Sequence, residues 1–191
     1  MRIIFLLLLP IALIQAKPTY WNQFRGPNGD GDAQNSQLPV QFSETENLTW
    51  KTPISGKAWS SPVVKDGKVW ITNAEEDGYK MWAIQLDWKT GKQIKKVLVF
   101  ENKEPQFCHP MNSYATPTPV IEGELVFVHF GTHGTAALDL KSGIKIWERR
   151  DFKCDHFRGA AASPITHQEN LIIHFDGHDL QYIVCLDQKA G

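Results

Sequence analysis

The sequence predicts an all-β protein made of repeated antiparallel sheets, set out as a propeller or an array. Two markers carry this. The first is a strand–turn–strand unit that occurs three times. It reads Leu86-Asp87-Trp88-Lys89-Thr90-Gly91, then Leu138-Asp139-Leu140-Lys141-Ser142-Gly143, then Leu186-Asp187-Gln188-Lys189-Ala190-Gly191. Its aspartates stand at 87, 139 and 187, and so are 52 and 48 residues apart. The second is a Ser/Thr-Pro step: Ser61-Pro62, Thr118-Pro119 and Ser163-Pro164, with prolines 57 and 45 apart. Two markers recurring in one order define a repeat of about 45–57 residues, the period of propellers and arrays.

Each element has a local reason. In the turn, an Asp side chain accepts hydrogen bonds from nearby backbone, and Gly91, Gly143 or Gly191 takes positive φ without a Cβ penalty. Before each turn lie short β-branched and aromatic runs, the composition of half-buried strands. The first repeat is expected to hold strands A to D at 62–64, 69–72, 81–86 and 93–100. The second holds them at 119–121, 125–130, 136–138 and 145–149. The third supplies 163–166, 171–175 and 181–186, with no fourth strand before Gly191. A single strand around Trp50, at 48–52, is expected to be the last strand of an incomplete blade, and such a strand often closes a propeller ring. About three four-stranded blades are thus expected, fewer than the roughly 4–8 of closed propellers. The chain reads as part of a longer ring, with open edges suited to self-association.

The chain has 191 residues, with 20 basic against 21 acidic and a net charge of −1. With no long basic run, nothing points to nucleic acid. Residues 1–16 read as a secretory signal: Arg2, an apolar run over 3–14, and Ala16 before cleavage. That run is too short to span a membrane, an uncleaved anchor being the alternative. No Cys follows it to carry a lipid. Export to the periplasm or the outside is expected, with no membrane span after cleavage. Residues 17–49 form an irregular lead-in, and 50–191 carry the repeats. Asn28-Gly29-Asp30-Gly31-Asp32 lacks EF-hand spacing and reads as a turn. Asn47-Leu48-Thr49 fits a glycosylation sequon.

The Leu-Asp-x-x-(Ser/Thr)-Gly unit with a following Trp147 resembles the repeat of the pyrroloquinoline-quinone (PQQ) type β-propellers. That superfamily includes quinoprotein alcohol dehydrogenases and outer-membrane assembly factors of the BamB type. The opening Trp21-Asn22-Gln23-Phe24-Arg25-Gly26-Pro27, with Trp50-Lys51-Thr52-Pro53 after it, is similar to the start of BamB-like secreted propellers. The resemblance implies a ring of seven or eight blades, with Trp147 as the tryptophan that docks one blade on another. The dehydrogenase branch implies adjacent cysteines in a vicinal disulfide and a carboxylate–calcium–PQQ arrangement. This sequence has no Cys-Cys pair, so no catalytic, cofactor or metal residue is assigned.

The polar residues of interest lie between strand D of one repeat and strand A of the next. They form two clusters, Cys108-His109-Pro110-Met111-Asn112 and Cys154-Asp155-His156-Phe157-Arg158. Each Cys precedes its marker proline by a similar distance, 11 and 10 residues, so both loops belong on one face. His109, Asn112, His156 and Arg158 are the candidate ligand rim, able to hold an anionic or hydroxylated group. Loop-to-loop hydrogen bonding that spaces the blades would use the same residues. Cys108 and Cys154 can pair if their loops approach, and Cys185 reads as a buried thiol. His129, His133, His174, Asp176 and His178 fall near the B–C turns.

The expected function is a non-catalytic binding or interaction scaffold that meets a protein partner or small ligand and needs no cofactor. The alternatives are part of a PQQ-dependent dehydrogenase using calcium, and a sensor or carbohydrate-binding propeller.

Overall fold

In the computed structural model, which describes residues 20–33 and 38–191, the expected meanders are present as three antiparallel sheets. The first pairs β1 (Val63–Lys65), β2 (Lys68–Ala74), β3 (Lys80–Asp87) and β4 (Gln93–Glu101) in chain order. The second pairs β5 (Val120–Glu122), β6 (Leu125–His129), β7 (Thr135–Asp139) and β8 (Lys145–Arg149). The third holds β9 (Ile165–His167), β10 (Asn170–Asp176) and β11 (Gln181–Asp187). β5 touches both β1 and β9, so the first strands of the sheets stand side by side. The sheets do not close into a ring. The expected signal segment, 1–16, lies outside the described residues.

The sheets stack face on face, as apolar faces must. Between the first and second, Trp70, Met81, Phe100, Val126, Phe130 and Leu138 are buried together. Between the second and third, Phe127, Ala137, Leu171, Ile173 and Phe175 do the same. Phe175 also stacks on Tyr182, with ring centroids 4.9 Å apart. The outer face of the first sheet, Val64, Val69, Ile84 and Leu86, is covered by Trp21 of the lead-in and by Trp50 and Ile54 just after it.

Two expectations need correction. Residues 48–52 form no strand, because no neighbouring strand is there to complete a ladder. They lie against the first sheet and do not supply a fourth strand to the third. Cys185 is exposed rather than buried. It lies on the face of the third sheet turned away from the second, where Ile165 and Ile183 are also exposed.

The lead-in also reaches the inner strands. Trp21 pairs with Val64 through both backbone bonds, at 2.9 and 2.7 Å. The Ile121 amide donates to the Asn22 carbonyl at 2.8 Å. One short segment thereby ties β1 to β5.

Candidate functional site

The repeated turn is built the same way three times. Asp87 Oδ1 accepts from the amides of Lys89 and Thr90 and from the Thr90 hydroxyl. Asp139 Oδ1 accepts from the amide and hydroxyl of Ser142. Asp187 Oδ1 accepts from the amides of Lys189 and Ala190. In the first two turns the partner's hydroxyl bond, and in the third the Ala190 amide, leads in holding the carboxyl below its usual range. Gly91, Gly143 and Gly191 all have positive φ, between 67° and 86°.

These turns are the docking points between sheets. The Trp147 indole N–H donates to the Gln188 carbonyl at 2.8 Å, and a Cβ on Gly191 would lie 3.0 Å from the ring. Trp147 therefore docks on the turn of the next repeat, not on its own turn at 139–143. Trp50 does the same on the first repeat, donating to the Trp88 carbonyl at 2.9 Å over Gly91. The second repeat has no tryptophan on its turn. Lys95 pairs with Gln85 as Trp147 pairs with Ala137, so Lys95 holds the tryptophan's register. The Lys95 stem and Val97 cover Gly143, and Gln85 Nε2 donates to the buried Leu140 carbonyl at 3.1 Å. Gln85→Leu is expected to lower stability by about 1–3 kcal/mol, because it leaves that carbonyl without a donor. Urea melts of the two proteins check this.

The Ser/Thr-Pro steps join the inner strands. The Ser61 amide donates to Thr118 Oγ1 at 3.0 Å, and the Thr118 amide donates to Ser163 Oγ at 2.9 Å. Beside them a hollow of about 470 Å³ opens between the lead-in and the inner strands, lined among others by Phe24, Arg25, Trp59, Thr118, Ser163 and Ile165.

The two loops expected on one face do meet there. Asn112 Nδ2 donates to the carbonyls of Arg158 and Gly159, at 2.8 and 3.0 Å. Cys108 Sγ approaches the Arg158 carbonyl at 3.8 Å. The Asn112 amide is thus spent on the neighbouring loop, while the Thr116 hydroxyl donates to its Oδ1 at 2.6 Å. His109 Nδ1 accepts from the Met111 amide at 3.1 Å within its own loop. His156 is buried, so the exposed part of the expected rim reduces to partly buried His109 and exposed Arg158. Cys108 and Cys154 do not pair; all three cysteines are thiols.

Sequence reasoning missed Gln106, which joins the loops to the β6–β7 turn. Its amide donates to His133 Nε2 at 3.1 Å, its side-chain nitrogen to the Cys154 carbonyl at 3.2 Å, and its Oε1 accepts from the His156 amide at 3.1 Å. A lone Gln in a loop carries no pattern that would mark it.

Beneath the loops lie three histidines kept neutral by burial. His129 is pushed down to about 3 and His133 to about 4, burial being the leading cause in both. His156 is lowered by burial too, and its ring bonds the Asp176 backbone. Its Nε2 faces Cys154 Sγ at 3.1 Å. Burial and the carboxylates of Asp179, Asp155 and Asp176 push the Cys154 thiol up to about 11. A thiol so protonated donates to His156 and is a poor nucleophile. Of the remaining B–C positions, His174, Asp176 and His178 are exposed. Among the described residues, no group of three His, Cys, Asp or Glu side chains is placed to hold a metal, and no helix is long and apolar enough to cross a membrane.

The family model described as outer membrane protein assembly factor BamB matches residues 35–191. Among solved structures, the quinohemoprotein alcohol dehydrogenase from Comamonas testosteroni is similar with a TM-score of 0.52 and 18% identity, over 71% of this chain and 20% of that one. The quinohemoprotein alcohol dehydrogenase ADHIIG from Pseudomonas putida HK5 has the same score and identity, over 74% and 20%. BamB from Moraxella catarrhalis is 18% identical over 74% of this chain and 37% of its own, with a TM-score of 0.48. No curated protein matches the sequence. The chain spans a fifth of the length of the two dehydrogenases, and at 18% identity that likeness shows the fold alone. The turns that dock one sheet on the next are the repeat's own structure, and with the family match over 35–191 they make this chain a member of the BamB-type PQQ-repeat β-propeller family.

Proposed function

We propose that this protein is an exported, non-catalytic scaffold of the bacterial cell envelope, which uses its propeller face to bind a protein partner or a small ligand. The observation that carries this reading is the use made of its reactive side chains. Cys154 and His156 are buried and bonded to each other, His133 and Gln106 bond each other, and Asn112 clamps the neighbouring loop. Chemistry-bearing groups spent on holding loops together support a binding surface more than an active site. His109 and Arg158 are the polar groups of that surface in our reading, and the family's description as an assembly factor supports a protein partner.

Two observations support a reading without PQQ and calcium. No two cysteines are adjacent in the sequence, and among the described residues no group of three His, Cys, Asp or Glu side chains is placed to hold a metal. The expected result with added PQQ and calcium is no dye-linked alcohol oxidation above background. Turnover that depends on both would overturn the scaffold reading.

A further inference from the structure

We propose that the hollow between the lead-in and the inner strands binds a sugar ring, with an acidic sugar preferred over a neutral one. This rests on the reading of the chain as a binding scaffold and names a ligand class for it. The hollow, about 470 Å³, falls within the usual range for small-ligand sites. Its walls combine three features that a sugar uses together.

The first is a pair of flat apolar faces. Phe24 and Trp59 line this hollow, and each is 50% exposed. The negative face of an aromatic ring attracts positively polarised hydrogens, and the C–H face of a sugar presents them.

The second is a set of hydroxyl donors. Thr118 Oγ1 and Ser163 Oγ each accept an amide from the neighbouring inner strand. That bond uses a lone pair and leaves the O–H proton to be donated. Both residues line the hollow; Thr118 is buried, so it is the partly buried Ser163 whose proton can serve the oxygens of a bound ring.

The third is Arg25. It adopts φ of +62°, a left-handed conformation that costs energy in a residue with a Cβ. The turn is held by the Trp21 ring packed on Gly26 and by Arg25 Nη2 donating to the Asp30 carbonyl at 3.0 Å. Its other guanidinium donors remain for a ligand, and their fork matches a carboxylate. A hollow with only the aromatic faces would suit any apolar group; the Ser163 hydroxyl and the arginine select an oxygen-rich ring that carries acid.

Isothermal titration of the whole protein with digalacturonate, cellobiose and trialanine tests this. Saturable binding of digalacturonate is expected, with weaker binding of cellobiose and none of trialanine. Trp59→Ala should weaken both sugars by roughly tenfold, the scale of losing one stacking platform. Arg25→Gly accepts the positive φ and should bring digalacturonate down to the level of cellobiose. Thermal melts should show both variants folded: both side chains are exposed, and in Arg25→Gly the relief of the positive φ offsets the lost bond to the Asp30 carbonyl. The proposal is overturned if neither sugar binds at millimolar concentration. It is also overturned if both variants bind like the parent, or if trialanine competes for the same place. Those outcomes leave the scaffold reading standing, which only catalytic turnover would remove.

Discussion

Trp147→Ala is expected to destabilise the protein by about 3 kcal/mol, the low end for loss of a large aromatic because the ring is only partly buried. The ring packs against Phe127 at 5.9 Å between centroids, covers Gly191, and donates to the Gln188 carbonyl. It belongs to the second sheet and rests on the third, so its loss should loosen the joint between them more than either sheet. Trp147→Phe keeps most of the apolar contact and loses the indole donor, so it should cost only about 1 kcal/mol. Urea melts give the two values. Hydrogen exchange should show β10 and β11 opening first in the alanine variant. An alanine variant as stable as the parent would mean that the turn docks without its tryptophan.

Acid should weaken this fold well before its carboxylates titrate. His129 is buried with Nδ1 against the Thr135 hydroxyl at 2.8 Å, and its Nε2 has no hydrogen-bond partner. Its ring meets Phe175 edge-on at 5.3 Å, and the imidazoles of His156 and His133 also oppose its charging. His133 has Lys153 and Arg150 nearby, which oppose its charging in the same direction. Above pH 6.5, folded and unfolded chains both hold these rings neutral. As pH falls, the unfolded chain takes up the protons near 6.5, while the folded protein refuses them until about 4 at His133 and about 3 at His129. Stability is therefore complete above 6.5 and declines from there toward 4 and then 3. By about pH 4.5 the loss should reach on the order of 5 kcal/mol. The exposed turn carboxylates of Asp87, Asp139 and Asp187 begin to contribute only below 3.8, so their loss comes later. Urea melts between about pH 7.5 and 4.5 should show the decline. His129→Gln should flatten it, and an unchanged slope in that variant would place the acid sensitivity elsewhere.

The loops show where legibility stopped. Similar distances from Cys108 and Cys154 to their marker prolines put the two loops on one face, and Asn112 does reach Arg158 there. Spacing along the chain says which loops are neighbours, because equivalent repeat positions emerge on the same side. It does not say which side chains turn inward. His109 and His156 read alike in sequence, yet His156 is buried over Phe175 at 6.2 Å, and His109 stays in its own loop. Burial of His156 depends on Phe175 of β10 and on Gly131 between β6 and β7, which lie elsewhere in the chain. Gln106 and Gln85 left no trace for the same reason: each donates to a carbonyl about 50 residues away.

By itself the sequence determined the three sheets, their meander order and their turns. All of these rest on contacts within a repeat, where an aspartate and a glycine lie four residues apart, with a hydroxyl between them in the first two turns. The partner of each docking tryptophan was decided only by the tertiary structure. In the chain Trp147 lies nearest the turn at 139–143. The ring instead rests on Gly191, because β8 is the outer strand of its sheet and its inward side chains face the next one. Exposure of Cys185 was decided the same way: its strand is apolar, but the face it occupies has no sheet against it. Local chemistry sets what a segment forms, and packing between segments sets which of its faces is covered.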